Sequence, residues 1–230
     1  VKRAIYPLIF ILILLCASCS KDSNPVESTP KSDGTVTDID GNIYNYITIG
    51  NQTWMQENLK TTKYRNGDAL PNVTTNGDWI VLKTGTYCDY NNNPTNAEIY
   101  GRLYNWYAVN DTRGLAPLGW HVASDSEWTK LINYLGGESV AGSKLKKLHN
   151  SYWQTSDIVV SNSSGFEAIP SGFRNIDGSF VWLGYTTYWW TSTVDNFSAA
   201  WNRHLHYDFE KIFRDSNEKN GGFSVRCIKD

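Results

Sequence analysis

The sequence predicts an α+β domain, and three observations carry that expectation. Residues 38–59, IDGNIYNYITIGNQTWMQENL after the first Asp, alternate apolar and polar residues on either side of Gly50-Asn51. That pattern reads as a β-hairpin closed by a two-residue turn. Two capping boxes follow, Thr95-Asn96-Ala97-Glu98 and Ser124-Asp125-Ser126-Glu127, each opening an apolar run at helical spacing. Beyond Trp153 the helical period is lost, and short alternating pieces stand between turn residues. That texture predicts a looped antiparallel sheet.

Taken in order, the first helix follows Pro94 and is expected to place Ile99, Leu103, Trp106 and Tyr107 on one face. The second carries Trp128, Leu131, Ile132 and Leu135 and stops at Gly136-Gly137. A weaker third helix is expected near Gly142–Leu148. The strand pieces are FEAIPSGFR, GSFVWLG, YWWTST, AAWNRHLHYDF and a terminal GGFSVRCIKD. Adjacent strand residues face opposite ways, so Trp189 and Trp190 cannot enter one core together. Trp190 is assigned to the main core and Trp189 to a second layer of protein.

The N-terminus has a different texture. Lys2 and Arg3 precede the apolar run AIYPLIFILILL, then Ala17-Ser18 stands before Cys19 and a polar tail. A basic start, a short apolar stretch and small residues before a break make a secretory signal, too short to span a bilayer comfortably. Small residues before a cysteine resemble the lipobox of bacterial lipoproteins, so Cys19 is the expected lipidation site. The division is then 1–18 signal peptide, 19–36 flexible tether and 37–230 folded domain. Residues 20–36, SKDSNPVESTPKSDGTV, offer almost nothing to bury. The expected location is the cell envelope, with the chain lipid-anchored at a membrane facing the periplasm or the outside.

Composition excludes some partners. The 230 residues carry a formal net charge of −2, and no basic run follows the N-terminus, so nucleic acid is not an expected partner. Ten Trp and fourteen Tyr against one Met give large burial per residue together with polar tips that need partners. Such content suits a loop-heavy fold or a sugar-binding surface. Two cysteines, Cys88 and Cys227, remain after the leader. In an exported chain they allow one intramolecular disulfide, or else stand as two separate buried thiols. A bond tying the region before the first helix to the terminal strand is the expectation carried forward.

Several phrases appear together in order: DGNIYNYITIGNQTWMQENLKTT, YCDYNNNPTNAEIYGRLYNWYAV, GWHVASDSEWTKL, SGFRNIDGSFVWLGYTTYWWTST and GFSVRCIKD. Together they resemble the Fibrobacter succinogenes major paralogous domain, over about Asp38 to Lys229. Members often carry Cys before the Pro of a CPxGWHV phrase, where this chain has Ala116, so a family disulfide through that position is absent. The resemblance implies a layout similar to the C-type-lectin-like fold shared with formylglycine-generating sulfatase-modifying proteins. That fold carries sugar binding, protein binding and oxidative catalysis, so function must be argued from a site.

Candidate sites are few. Formylglycine-generating enzymes use close reactive cysteines, and Cys227 has no such neighbour. The calcium triplets of sugar-binding lectins are missing, and Trp201-Asn202 is followed by Arg203 where a carboxylate would bind the metal. Asn202, His204, His206 and Asp208 fall on one strand face at period two, the basis of a metal-dependent oxidoreductase alternative. A solvated strand face is the preferred reading, with Trp201, Arg203, Leu205 and Tyr207 turned inward. No P-loop, GxSxG or GxGxxG is present. No catalytic residue, metal or cofactor is therefore assigned. Trp79 in NGDWIV and Trp182 in GSFVWLG are the candidate ligand contacts of a non-enzymatic binding or adhesion module, for a glycan or a surface protein. A purely structural envelope lipoprotein is the remaining alternative.

Overall fold

The computed structural model describes residue 1, residues 30–148 and residues 152–230. Cys19 and most of the leader and tether lie outside the described residues. The architecture is α+β, as the sequence predicts, with two five-stranded sheets and a two-stranded ribbon.

The first sheet begins with β1 (Gly34–Thr37), β2 (Ile43–Ile49) and β3 (Gln52–Met55). The expected hairpin is present, with Ile49 opposite Gln52 across Gly50-Asn51. β1 corrects the tether boundary of 36, because its four residues pair with Ile43–Tyr46 of β2. The Ser32 hydroxyl also donates to the Tyr46 carbonyl, and the Asp33 carboxylate accepts from Thr48 N at 2.6 Å. Val36 packs on the main core, which is reason enough for a strand in an otherwise polar run.

Next come α1 (Asn76–Val81), β4 (Tyr87–Cys88), α2 (Pro94–Tyr100), β5 (Leu103–Tyr104) and α3 (Trp106–Val109). The single helix expected through Tyr107 is thus two short helices around a strand. Asn93, rather than Thr95, caps α2 by accepting from Thr95 N. Gly101 ends α2 at φ +78°, where a Cβ would lie 2.6 Å from the Asn58 Cβ. Only glycine can turn there so close to another chain segment. Trp106 then begins a new helix whose cap is Asn105.

β6 (Trp120–Val122) leads into α4 (Asp125–Tyr134), where the predicted capping box of Ser124 and Glu127 forms in both directions. Trp128, Leu131 and Ile132 are buried on one face. The third helix, α5 (Glu138–Leu145), starts four residues before the expected Gly142. Gly142 sits inside it because the Glu210 and Lys211 carbonyls approach to 2.5 and 2.6 Å of where a Cβ would stand.

The second sheet holds β7 (Ser171–Arg174), β8 (Phe180–Leu183), β9 (Thr186–Val194), β10 (Ala199–His206) and β11 (Ile212–Glu218). Their order is β11-β10-β9-β7-β8, antiparallel apart from the β7–β9 contact. The last strand, β12 (Cys227–Lys229), returns to the first sheet between β3 and β6. Among the described residues no helix is long and apolar enough to cross a membrane.

Both tryptophans of the doublet are fully buried, on opposite sides of β9. Trp190 enters the main core with Tyr104, Phe223 and Val225, and its Nε1 donates to the Tyr104 carbonyl at 2.9 Å. Trp189 enters the second core, which α4 and α5 cover, and stacks 5.3 Å from Trp128. Burying an aromatic of 150–250 Å² contributes about 4–6 kcal/mol at ~25 cal/mol per Å², so neither ring is spare.

Between the cores lies Arg226, wholly buried. Its Nε donates to Asn58 Oδ1, Nη1 to the Met55 and Phe166 carbonyls, and Nη2 to the Glu167 carbonyl. Asn58 Oδ1 also accepts from Trp189 Nε1 at 2.8 Å, while Asn58 Nδ2 donates to Tyr100 O and Ser224 Oγ. Asn58→Ala strips acceptors from a buried cation and a buried indole together. Chemical denaturation should show a loss of about 3–5 kcal/mol; a loss under 1 kcal/mol would show that the network carries little stability.

Candidate functional site

The most distinctive surface grows from the end of β10. His204 stands opposite Tyr188 on β9 and Phe213 on β11. Register alone therefore brings the three rings together: His204 stacks 4.3 Å from Tyr188 and 4.9 Å from Phe213, each nearly parallel. The expected solvated face is thus covered, with Asn202 and His204 both buried. Leu205 and Arg203 do face inward as expected, and Arg203 donates to the Asp125 carboxylate at 2.8 Å. Trp201 and Tyr207, also placed inward by the sequence, are only partly buried.

His204 Nδ1 has no hydrogen-bond partner among the described residues, and Asp215 Oδ2 stands 3.6 Å away. Burial pushes the His204 pKa down to about 3, with the nearby His206 and Lys211 charges adding to the effect. The imidazole is neutral at pH 7. The metal alternative needs His204, His206 and Asp208 to converge. The two imidazoles instead meet edge to face at 5.3 Å, and no group of three His, Cys, Asp or Glu among the described residues could hold a metal ion.

Past His206 the chain turns outward, and Trp182, Tyr185, His206, Tyr207, Asp208 and Phe209 enclose a depression of about 320 Å³. Trp182, Tyr185 and Phe209 are 54, 43 and 49% exposed, beside the half-buried rings of His206 and Tyr207. Trp182 meets His206 edge to face at 5.7 Å, and His206 meets Phe209 at 6.2 Å. Trp182 also has φ +65°, an unusual conformation for a bulky residue. The turn is fixed by Tyr185 N donating to Trp182 O and Gly184 N donating to Pro170 O, both at 3.0 Å.

The opposite wall is held from beneath. Lys146, wholly buried at the end of α5, donates from Nζ to the Phe209 carbonyl at 2.6 Å and the Tyr207 carbonyl at 3.4 Å. Ser156 Oγ donates to the same Tyr207 carbonyl, and Tyr207 N donates to Tyr185 O at 2.7 Å. Burial pulls the Lys146 pKa down to about 8, against the pull of Asp208 and Glu210. The depression is therefore built on fixed backbone.

The remaining candidates fare differently. Trp182 is exposed, as expected of a ligand contact, and lies in strand β8, within the expected strand piece GSFVWLG. Trp79 is only 1% exposed and cannot be a surface contact. NGDWIV forms the short helix α1 under a Thr75 cap, which turns the indole inward. There its Nε1 donates to Asn220 O, and the Arg174 guanidinium lies 4.3 Å from its ring centre. The expected Cys88–Cys227 bond is absent, both thiols being free and buried. Pairing with Leu103 places Cys88 in a small cluster with Trp79 and Tyr90, whereas pairing with Val122 places Cys227 in the main core. Burial pushes the Cys88 thiol up to about 12 and raises Cys227 as well, so both are inert. Sequence reading did not group Tyr185, His206 and Phe209 with Trp182. The dense aromatic phrase HLHYDF was the signal available.

The chain is an α+β protein with a shallow aromatic depression at the exit of β10, and no group of three His, Cys, Asp or Glu among the described residues could hold a metal ion. Residues 47–229 match the Fibrobacter succinogenes major domain, and the chain belongs to that family. No curated protein and no solved structure matches it.

The buried imidazole makes stability depend on pH. Between about 6.5 and about 3 the unfolded chain binds a proton at His204 that the folded chain refuses. The His204 contribution to stability is therefore complete above about pH 6.5 and falls on acidification, by up to about 1.4 kcal/mol per unit. Denaturant unfolding at stepped pH should show that slope, and His204→Phe should flatten it. His206, depressed in the same direction, leaves a smaller residual slope.

Proposed function

We propose that this protein is a lipid-anchored module of the cell envelope that binds a glycan, without catalysis, on the Trp182–His206–Phe209 surface. The observation that carries the reading is the grouping of three exposed rings and the Asp208 carboxylate around one preformed depression. Aromatic faces cover the apolar side of a sugar ring, while a few polar groups fix its orientation. Holding Trp182 at positive φ costs about 1–3 kcal/mol, a strain that collects at ligand sites.

The anchor rests on the sequence before Ser20: a basic start, an apolar run and small residues ahead of Cys19. A membrane-facing location, in the outer membrane on its periplasmic or surface side, follows from that reading. The C-type-lectin-like assignment is supported by the arrangement of the sheet, where the first hairpin and the last strand are neighbours, β2-β3-β12. A surface protein is the competing ligand, since exposed aromatics also serve protein interfaces.

Two measurements test the proposal. Cys19→Ala should move the protein from the membrane to the soluble fraction and abolish incorporation of a lipid label; continued membrane partitioning without label would refute the anchor. On glycan arrays Trp182→Ala should weaken binding at least tenfold while leaving the thermal midpoint nearly unchanged. Glycan binding that ignores Trp182, or its absence from a folded sample, would refute the site.

A further inference from the structure

The Trp182 depression has neighbours. Tyr207 forms a wall shared with a second depression of about 230 Å³, whose rim includes Gln154, Thr155 and Ser156. Lys147 is in turn shared between that one and a third of about 270 Å³, bordered by Asn45, Glu57 and Glu167. Ligand sites usually occupy about 300–1,000 Å³. Each depression alone lies near or below the lower limit, so a ligand of ordinary size would span more than one of them.

Their chemistry is graded. The first is lined by aromatic rings, and the second presents the exposed amide and hydroxyl of Gln154 and Thr155. In the third the charges are engaged with protein partners. Lys147 pairs with Glu167 at 2.8 Å, and Glu57 accepts from the Asn45 backbone and side chain at 2.8 and 2.7 Å. Lys146, between the first two, is committed to the Tyr207 and Phe209 carbonyls. The path thus offers stacking faces and hydroxyl partners, and its lysines are not free to attract an anionic chain.

We infer that the ligand is a neutral, flat-faced polysaccharide chain that starts on Trp182 and crosses Tyr207 and Lys147 to fill all three depressions. This rests on the glycan reading above and adds the length and charge of the ligand. A β-1,4-linked chain fits because its equatorial rings expose flat C–H faces to the aromatics and hydroxyl edges to Gln154 and Thr155. The ligand's contact area, and with it the affinity, grows as each further depression is occupied.

The test is calorimetric titration of the full chain in detergent. Probes are β-1,4 oligomers of glucose and of N-acetylglucosamine, with one, three and six units, beside a six-unit uronic acid oligomer. Affinity for at least one neutral series should rise tenfold or more from one unit to six and exceed that for the uronic acid oligomer. Trp182→Ala should weaken every length. A Gln154→Ala, Thr155→Ala double variant should weaken the six-unit chain severalfold and leave the single sugar unchanged, with circular dichroism confirming the fold of both variants. Equal affinity for one and six units, dependent on Trp182, would overturn the extended groove and leave the glycan site standing. Preference for the uronic acid chain would overturn the neutral assignment alone. No binding of any probe to folded protein would overturn the inference, and array binding dependent on Trp182 would decide whether the parent reading falls with it.

Discussion

A buried arginine surrounded by neutral oxygens is the constraint on which the rest of this structure depends. Arg226 is removed from water, and its partners are the backbone carbonyls of Met55, Phe166 and Glu167 and the Asn58 side-chain oxygen. Desolvating a guanidinium carries a penalty of several kcal/mol, which only a complete set of acceptors can offset. The acceptors come from β3, from the Phe166–Glu167 segment and from the loop after β3. Those segments must therefore be in place before the charge can be. The Phe166 ring lies 4.5 Å from the guanidinium and Trp189 5.9 Å, so the same cation also orients two aromatic members of the second core.

The terminal phrase GGFSVRCIKD extends that constraint to both sheets. Gly222 pairs with Arg174, and Ser224 N donates to the Tyr188 carbonyl of β9, before Cys227–Lys229 completes the first sheet. Phe223 meanwhile packs 4.3 Å from Trp190. One strand-like segment thus joins the sheets while β9 separates the two cores. The doublet at its centre needs two enclosed sides. At the exit of β10 the end of α5 supports the chain from one side, through Lys146 on the Tyr207 and Phe209 carbonyls. On the other side Trp182, Tyr185 and Phe209 stay exposed, and that is where the Trp182 depression lies.

What could be read in the sequence follows the range of the interactions. The Gly50-Asn51 hairpin and the Ser124–Glu127 capping box are complete within a few residues, and both formed as expected. The opposite placements of Trp189 and Trp190 follow from strand periodicity alone. Gly101 broke the helix expected through Tyr107 because of its approach to Asn58, a contact between distant segments. Trp79 was hidden by a similar cause: nothing in NGDWIV announces that Arg174 and Asn220 will enclose it. β11 carries little apolar signal, its residues being largely charged or exposed, and it is recognised only through pairing with β10. The aromatic site combines β8, the β8–β9 turn and the exit of β10, so its members stand apart in the sequence and meet only after the sheet has formed.

Rigidity links these levels. Trp182 keeps its positive φ because neighbours on both sides restrain the turn. Gly184 donates to Pro170, Gln154 N donates to Gly184 O, and Tyr207 N donates to Tyr185 O. Across the depression the Lys146 ammonium donates to the Tyr207 and Phe209 carbonyls of the facing wall, and its own position is set by the end of α5 and by Gln154's neighbour Trp153, whose ring lies 5.2 Å away. A shallow site cannot enclose its ligand, so it gains little from closing around it. Its affinity depends instead on avoiding the entropy of ordering rings and backbone at the moment of binding. Buried Lys146 and half-buried Ser156 meet that requirement by fixing Tyr207 and Phe209 in advance. In this protein the polar interior serves the exposed aromatic surface, and the density of tryptophan and tyrosine supplies both the core that sets the sheet and the rings left open at its edge.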